Sequence, residues 1–437
     1  MYVRHLHVRN VKLLRDVAID FVGKNGAPRM WTVFVGENRL CKTTLLQTIA
    51  AAASGVDRGT QLVTDVVASW PDLRNPVEAI IEAGFGFGET RHARRKYPEL
   101  SVMSRVPRLH STLRLEPDRR VFRGSSHYTS EEVVVYGPDP LAMARAQPLQ
   151  DWFVAGYGPS RLLPAAGKAA RLSEPVVDRL RPLFGESLIG TGFVELFGEY
   201  LATAFTKVLE AVFVKGGLLP HVTALELRGR GGIRSAKDLV EAQRFDMAVN
   251  GGKHIQVPAT WLSQGYQSVI AWIADLVGQI LLDAGEPMEA ADMEGTVLVD
   301  EIDLHLHPTW QVRLIPALKQ VFPRLQFIAT THSPMVLPAL AAEEVVLLST
   351  DAEGSVVATP STQSPALLTG SELYGAFFEI RKLYPDALGD KLHRYSQLAS
   401  DPTRTAEEDE QMKALRRELE AAEVRFDWEP VAREAEG

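Results

Sequence analysis

The stretch Phe34–Ala50, FVGENRLCKTTLLQTIA, decides how the chain is read. Just before and into it, Met30–Val35 (MWTVFV) has the β-branched and aromatic composition of a strand. KTTLLQTIAAAA, from Lys42 onward, is helical in composition. A strand, a loop opened by Gly36, then Lys42 and Thr43 at a helix start is the order of a phosphate-gripping loop, G-x-x-x-x-G-K-[ST]. Such a loop works because backbone N–H groups at a helix start are unpaired donors at the positive end of the helix dipole. Lys42 is placed to reach β- and γ-phosphate oxygens, and the Thr43 hydroxyl to ligate Mg²⁺. Arg39 and Cys41 stand where glycine is usual. Glycine suits positive φ or close approach to phosphate, so Cys41 either crowds the phosphate or sits at negative φ.

Three later stretches extend the reading in sequence order. In LSQGYQS, Leu262–Ser268, a Ser-x-Gly turn enters a helix. Ser263 and Gly265 there offer a hydroxyl and free N–H groups to a γ-phosphate from another subunit; a plain N-cap serine is the alternative. VLVDEIDLHLHP is a buried strand ending in Asp300 and Glu301. A carboxylate at such a strand end can hold Mg²⁺, and the next one can polarise an attacking water. LQFIATTHSP is another buried strand, closed by His332. His305 and His307 are two apart, but no cysteine or carboxylate set completes a separate metal site.

The chain has 437 residues, 46% hydrophobic and 23% charged, which is globular composition. Its net charge of −8 excludes a nucleic-acid binder that is basic throughout, so any DNA contact needs a local patch. Arg91–Arg123, with ten Lys or Arg against three acids, is that candidate, and the solvated face of a sheet is the alternative. Cys41 is the single cysteine, which rules out an intrachain disulfide and fits a reducing cytoplasm. The opening MYVRHLHVRNVKLL lacks the apolar core of a secretory signal. The longest apolar stretch, Ser268–Gly285, carries Asp275 and Gln279 and reads as a buried helix, not a membrane span.

Apolar strands interleaved with helices predict an α/β fold with a parallel sheet built from both halves of the chain. YVRHLHVRN and RDVAIDF read as two opening strands, and Gln61–Val135 as antiparallel strands. WFVAGYGPSRLL reads as a strand running into a loop, and Ser173–Lys215 has helical periodicity. VTALELRG and RFDMAVNGGKHIQV return to strands, with Asn250-Gly251-Gly252 as a hairpin turn. The division expected is 1–160, the first part of the head; 161–218, a helical insertion; 219–362, the second part of the head; and 363–437, a helical C-terminal extension.

In this order the motifs resemble the ATP-binding head of the ABC class, in its soluble SMC/RecF/OLD branch. DEIDLHLHPTWQ followed by LQFIATTHSP is closely similar to stand-alone bacterial AAA-labelled ATPases, many of them in anti-phage systems of the Septu, PARIS and retron type. The resemblance covers about 1–50 and 255–345 specifically and 60–250 loosely. It implies an ABC-type P-loop ATPase head, a mixed or parallel sheet with an antiparallel β subdomain, with ATP and Mg²⁺ as cofactors. By resemblance Gly36, Asn38, Arg39, Cys41, Lys42, Thr43 and Thr44 form the phosphate loop, and Thr43 and Asp300 hold the metal. Glu301 is the catalytic base, and His332 contacts the γ-phosphate in cis. Ser263 and Gly265 touch the γ-phosphate of a second subunit, since two such heads sandwich two ATP molecules. Tyr157–Arg161 (GYGPSR with Gly156) is the candidate for the family's glutamine loop on the nucleotide side. The implied function is a dimeric or higher-order ATP-driven switch, slow or gated because of Cys41, that controls a separate nuclease or toxin in phage defence. Two other readings are a DNA-repair ATPase that clamps DNA through Arg91–Arg123 and a non-hydrolysing assembly scaffold. None of the readings involves a membrane.

Overall fold

A computed structural model describes residues 1–64, 66–71, 76–87, 108–117, 119–129, 134–135, 152–163, 175–185, 199–219, 221–227, 243–249, 252–378, 386–426 and 429–432. The chain divides into two compact units, Met1–Leu368 and Thr369–Gly437.

The first unit is built on a six-stranded mixed sheet. Its strands are β3 (Trp31–Val35), β8 (Val154–Tyr157), β12 (Gly295–Val299), β13 (Leu325–Thr330), β14 (Val345–Thr350) and β15 (Val356–Pro360). The order is β15-β14-β3-β13-β12-β8. All neighbours run parallel except β15, which is antiparallel to β14. Strands β3, β12 and β13 are buried at every position, as mostly apolar parallel strands covered on both faces are. Both halves of the chain thus contribute to one parallel core, as the sequence implies.

A second six-stranded sheet is antiparallel, in the order β2-β1-β4-β5-β6-β7. It consists of β1 (Tyr2–Val11), β2 (Leu14–Asp20), β4 (Ala79–Gly86), β5 (Arg108–Leu115), β6 (Arg123–Thr129) and β7 (Val134–Val135). Its apolar face and helix α1 (Lys42–Val63) share one core with Leu298 and Ile328 of the mixed sheet. Helix α1 bends at Gly55, whose φ of 79° and ψ of −174° are outside the helical region. One fully buried amide fastens the two sheets together. Gln326 on β13 accepts from the Val3 N–H at 2.7 Å and donates to the Val3 carbonyl at 2.9 Å. Its Oε1 also accepts from the Thr296 hydroxyl, so the side chain is satisfied on both ends.

A third sheet, β11-β10-β9, comprises β9 (Val222–Leu227), β10 (Gln243–Val249) and β11 (Lys253–Pro258). Strands β10 and β11 pair antiparallel as a hairpin, although Asn250 and Gly251 of the expected turn lie outside the described residues. Of the expected insertion, residues 164–174 and 186–198 also lie outside them. Helix α2 (Glu199–Glu210) continues into a π-helical turn over Ala211–Lys215.

Helix α3 (Gln264–Ala284) is long and apolar enough to cross a membrane, but 83% of its apolar window is buried inside the fold. It carries Asp275 against β8. The Asp275 carboxylate accepts from the Tyr157 hydroxyl at 3.0 Å. Burial pushes the Asp275 carboxyl up to about 6, against hydrogen bonds from Tyr157 and Gln279 that pull it down. Burial, with the nearby Asp275, holds the Tyr157 phenol well above its usual range. A folded carboxyl that keeps its proton above the unfolded value near 4 favours the fold fully below that value. The advantage is lost as pH rises through about 6. Asp275→Asn is expected to remove this contribution, of the order of 3 kcal/mol. Melting curves taken from pH 4 to 7 then fall less steeply for the variant than for the wild-type chain, and parallel curves contradict the assignment.

The second unit is helical: α5 (Gly370–Phe378), α6 (Asp386–Ser400) and α7 (Ala406–Ala421), with α4 (Pro308–Val321) belonging to the first unit. Helix α7 starts in a capping box between Thr405 and Glu408. It is charged over most of its length, but Met412 and Leu419 are buried with Tyr395, Leu398 and Ala399 in a small core.

Candidate functional site

The phosphate loop, the Asp300 turn and His332 lie at the carboxyl ends of β3, β12 and β13, which are adjacent strands of the mixed sheet. Ligands of open parallel sheets bind at that edge. Gly36 is fixed by close approach: a Cβ there would lie 2.6 Å from the Leu348 carbonyl of β14. From Gly36 the loop runs to Cys41, and α1 begins at Lys42.

Arg39 and Cys41 both adopt the left-handed region, with φ of 78° and 58°. Of the two alternatives for Cys41, accommodation at negative φ is therefore excluded. The loop keeps its glycine-type conformation with side chains in place, at a cost of about 1–2 kcal/mol per residue. The Cys41 thiol donates weakly to the Arg39 carbonyl at 3.8 Å, and its own carbonyl accepts the first helical bond from the Leu45 N–H.

Lys42 is buried. Its ammonium donates to the carbonyls of Gly36 at 2.7 Å and Glu37 at 2.8 Å, so it lies across the mouth of the loop. Burial lowers its pKa, while Asp300, Glu301 and Glu37 pull it back up. Thr43 and Asp300 are 257 residues apart in the chain, yet the Thr43 hydroxyl donates to Asp300 Oδ2 at 2.7 Å. The other carboxylate oxygen accepts from the Thr330 hydroxyl at 2.6 Å, and Asp300 is almost wholly buried. An all-oxygen set of hydroxyl and carboxylate beside a lysine suits a hard cation such as Mg²⁺. Thr44, also expected in the site, is buried, and its hydroxyl accepts from Lys12 at 3.1 Å. Asn38 is exposed on the loop.

Glu301 occupies a left-handed turn, with φ of 48°. Its carboxylate makes no hydrogen bond among the described residues. Its N–H donates to the Thr330 hydroxyl at 2.7 Å, and its carbonyl accepts from the Leu304 N–H. His332 is exposed at the end of β13. Asp303 accepts from the Thr331 hydroxyl at 2.5 Å and from the His332 N–H at 3.4 Å, which ties the turn to the β13 end.

Ser263 precedes α3 in the N-cap position, yet its hydroxyl makes no capping bond and is exposed. Gly265 is pressed against the turn that follows Glu301: a Cβ there would lie 2.5 Å from the His305 carbonyl. Among the described residues no hydrogen bond joins Ser263 or Gly265 to the phosphate loop of the same chain. His307 accepts from Thr309 N–H and caps α4.

Tyr157 and Arg161 are not on the nucleotide side as the sequence suggests. The Tyr157 ring is wholly buried against α3. Arg161 is buried beneath Asp300 and Glu301, where its guanidinium donates to the Asp300 carbonyl at 2.9 Å and to the Glu301 carbonyl. Burial lowers its pKa to about 10, with Asp300, Asp303 and Glu301 opposing. Sequence reasoning also missed Thr330 and Asp303. Hydroxyls and a carboxylate packed around TTHSP and DEID were the available signal.

The Gly36–Thr43 loop, Asp300 and Glu301 thus meet at one edge of the mixed sheet. Residues 221–337 match an AAA domain family. Its description reads "AAA domain, putative AbiEii toxin, Type IV TA system". The chain is similar to a "Septu protein PtuA" of Bacillus mycoides, with 26% identity over 96% of this chain and 50% of that protein. It is also similar to the "Retron Ec83 probable ATPase" of Escherichia coli, 41% identical over 22% of this chain and 18% of that one. The chain thus spans half the length of the first relative and less of the second. Among solved structures, an SMC head bound to the C-terminal winged-helix domain of ScpA aligns over 84% of this chain and 100% of that one. Its TM-score is 0.48 at 15% identity. The α/β assignment stands on the strand order itself.

The arginines expected to meet DNA divide in two. Arg91, Arg94, Arg95 and Arg105 lie outside the described residues, and Arg108 and Arg120 lie among them. Arg114 pairs with Glu78 at 2.9 Å, and Arg119 and Arg123 both pair with Glu116.

Proposed function

We propose that this chain binds and hydrolyses Mg²⁺–ATP as an ABC-type head that closes on a second copy. The observation that carries the reading is the Thr43–Asp300 hydrogen bond beside Lys42, which brings both halves of the chain to one loop mouth. In this account Lys42 exchanges the loop carbonyls for phosphate oxygens, and Thr43 and Asp300 hold the metal. The metal supplies charge neutralisation at the β- and γ-phosphates. Glu301, whose carboxylate is uncommitted, orients and deprotonates the attacking water. Ser263 is exposed and uncommitted, as a contact to a partner's γ-phosphate requires, and His332 serves the γ-phosphate bound by its own chain. Nucleotide drives closure only through its higher affinity for the closed pair.

The names of the relatives support a role in an anti-phage system, with a separate nuclease or toxin as the controlled effector in the cytoplasm. The ion-paired state of Arg114, Arg119 and Arg123 favours a solvated sheet face over a DNA clamp. The left-handed Cys41 is the support for a non-hydrolysing scaffold. Phosphate release from wild type and Cys41→Gly separates the two. The ATPase reading expects Mg²⁺-dependent release from the wild-type chain, faster in Cys41→Gly. Nucleotide binding with no release from either protein establishes the scaffold instead.

A further inference from the structure

We infer that Arg161 is a positioning residue for Glu301, holding the catalytic turn from beneath by gripping its two carbonyls. The inference rests on the ATPase reading for the role of Glu301, and on geometry for the rest.

The turn leaves β12 through backbone that a glutamate rarely adopts, φ 48° at Glu301. Its amides are held from one side: Glu301 N–H by the Thr330 hydroxyl at 2.7 Å and Ile302 N–H by the Thr330 carbonyl at 2.9 Å. Its carbonyls are held from the other, where the Arg161 guanidinium donates to both Asp300 and Glu301. Both bonds leave one nitrogen, Nη2, whose two hydrogens are fixed in the guanidinium plane and so diverge toward the two carbonyls. Together the two sets leave the peptide planes on either side of Glu301 little freedom to rotate, and so aim the side chain.

Arg161 is itself rigidly placed. Strand β8 pairs in parallel register with β12, Tyr157 opposite Val299, and the Tyr157 carbonyl accepts from the Asp300 N–H at 2.8 Å. The following Gly158 is pressed against the Pro182 carbonyl, which a Cβ would approach to 2.5 Å. The Tyr157 hydroxyl is anchored on Asp275 of α3. Arg161 is thus fixed to the same strand pair that carries Asp300, and its position is set before any ligand arrives. A glutamine-loop role on the phosphates needs a side chain that reaches the mouth, and this one is spent on backbone.

The test compares Arg161→Lys and Arg161→Met with wild type in three readouts on the full chain. These are kcat and KM for Mg²⁺–ATP, nucleotide Kd by titration, and hydrogen exchange of the 300–306 backbone without nucleotide. The expected result is faster exchange confined to 300–306 and kcat lower by about 10²-fold in Arg161→Met, the loss typical of a small misplacement of a catalytic group. Arg161→Lys, keeping charge but not the planar Nη2 and its reach, falls between. KM and Kd stay within about twofold of wild type, since phosphate binding is not touched. Unchanged exchange in 300–306, or a raised Kd at unchanged kcat, overturns the inference. So does a kcat loss that only tracks a lower folded fraction in melting. A wild-type chain that releases no phosphate sinks the ATPase reading instead, and exchange in 300–306 still decides whether Arg161 holds the turn.

Discussion

Glu301→Gln is expected to lower ATP hydrolysis by about 10²- to 10⁴-fold while nucleotide affinity stays near wild type. The size follows from removing a group that takes a proton in the transition state and nothing else. Glutamine has the shape of glutamate but cannot accept that proton. The folded turn does not depend on the carboxylate, because Thr330, Leu304 and Arg161 bind the Glu301 backbone. Stability is therefore expected to change by no more than about 0.5 kcal/mol, as for a surface substitution. Hydrolysis is also what would reopen a closed pair, so the variant accumulates as an ATP-bound dimer. Phosphate release and sedimentation with Mg²⁺–ATP read both effects. A variant that holds ATP and sediments as a monomer contradicts closure on a second copy.

Lys42→Ala is expected to weaken ATP binding by about 10²- to 10⁴-fold, with little loss of stability. The ammonium makes two charge-assisted bonds to the loop carbonyls, which phosphate oxygens replace on binding. Bonds of that kind contribute about 1.5–3 kcal/mol each, and two of them span that range of affinity. The buried amine is held at a depressed pKa by desolvation, so its removal relieves an unfavourable burial in the free protein. Titration with a fluorescent ATP analogue measures the loss. Wild-type affinity in the variant removes Lys42 from the site.

The parallel core was legible because its strands, WTVFV, GTVLV and LQFIAT, are short and mostly apolar, and each runs into a glycine or a polar residue. The meeting of Thr43 with Asp300 was legible for a different reason, since motif spacing already encodes strand adjacency. Arg161 was not legible. Its role depends on β8 lying beside β12 in register, a pairing across about 140 residues that no local pattern announces. The conformation of Cys41 was left between two alternatives because residue type argues against a left-handed φ, and the loop adopts one all the same. Ser263 was left between two uses by sequence, and its hydroxyl makes no cap. Arg114, Arg119 and Arg123 are ion-paired, and composition could not foresee the partners Glu78 and Glu116.

The central claim is that Gly36–Thr43 and Asp300 make one Mg²⁺–nucleotide pocket. Calorimetric titration of ATP, with Mg²⁺ and with EDTA, into wild type and Asp300→Asn tests it most directly. The account predicts one ATP per chain, bound at least about tenfold more weakly when either Mg²⁺ or the Asp300 carboxylate is removed. Saturable ATP binding that ignores both, or none at all, contradicts it.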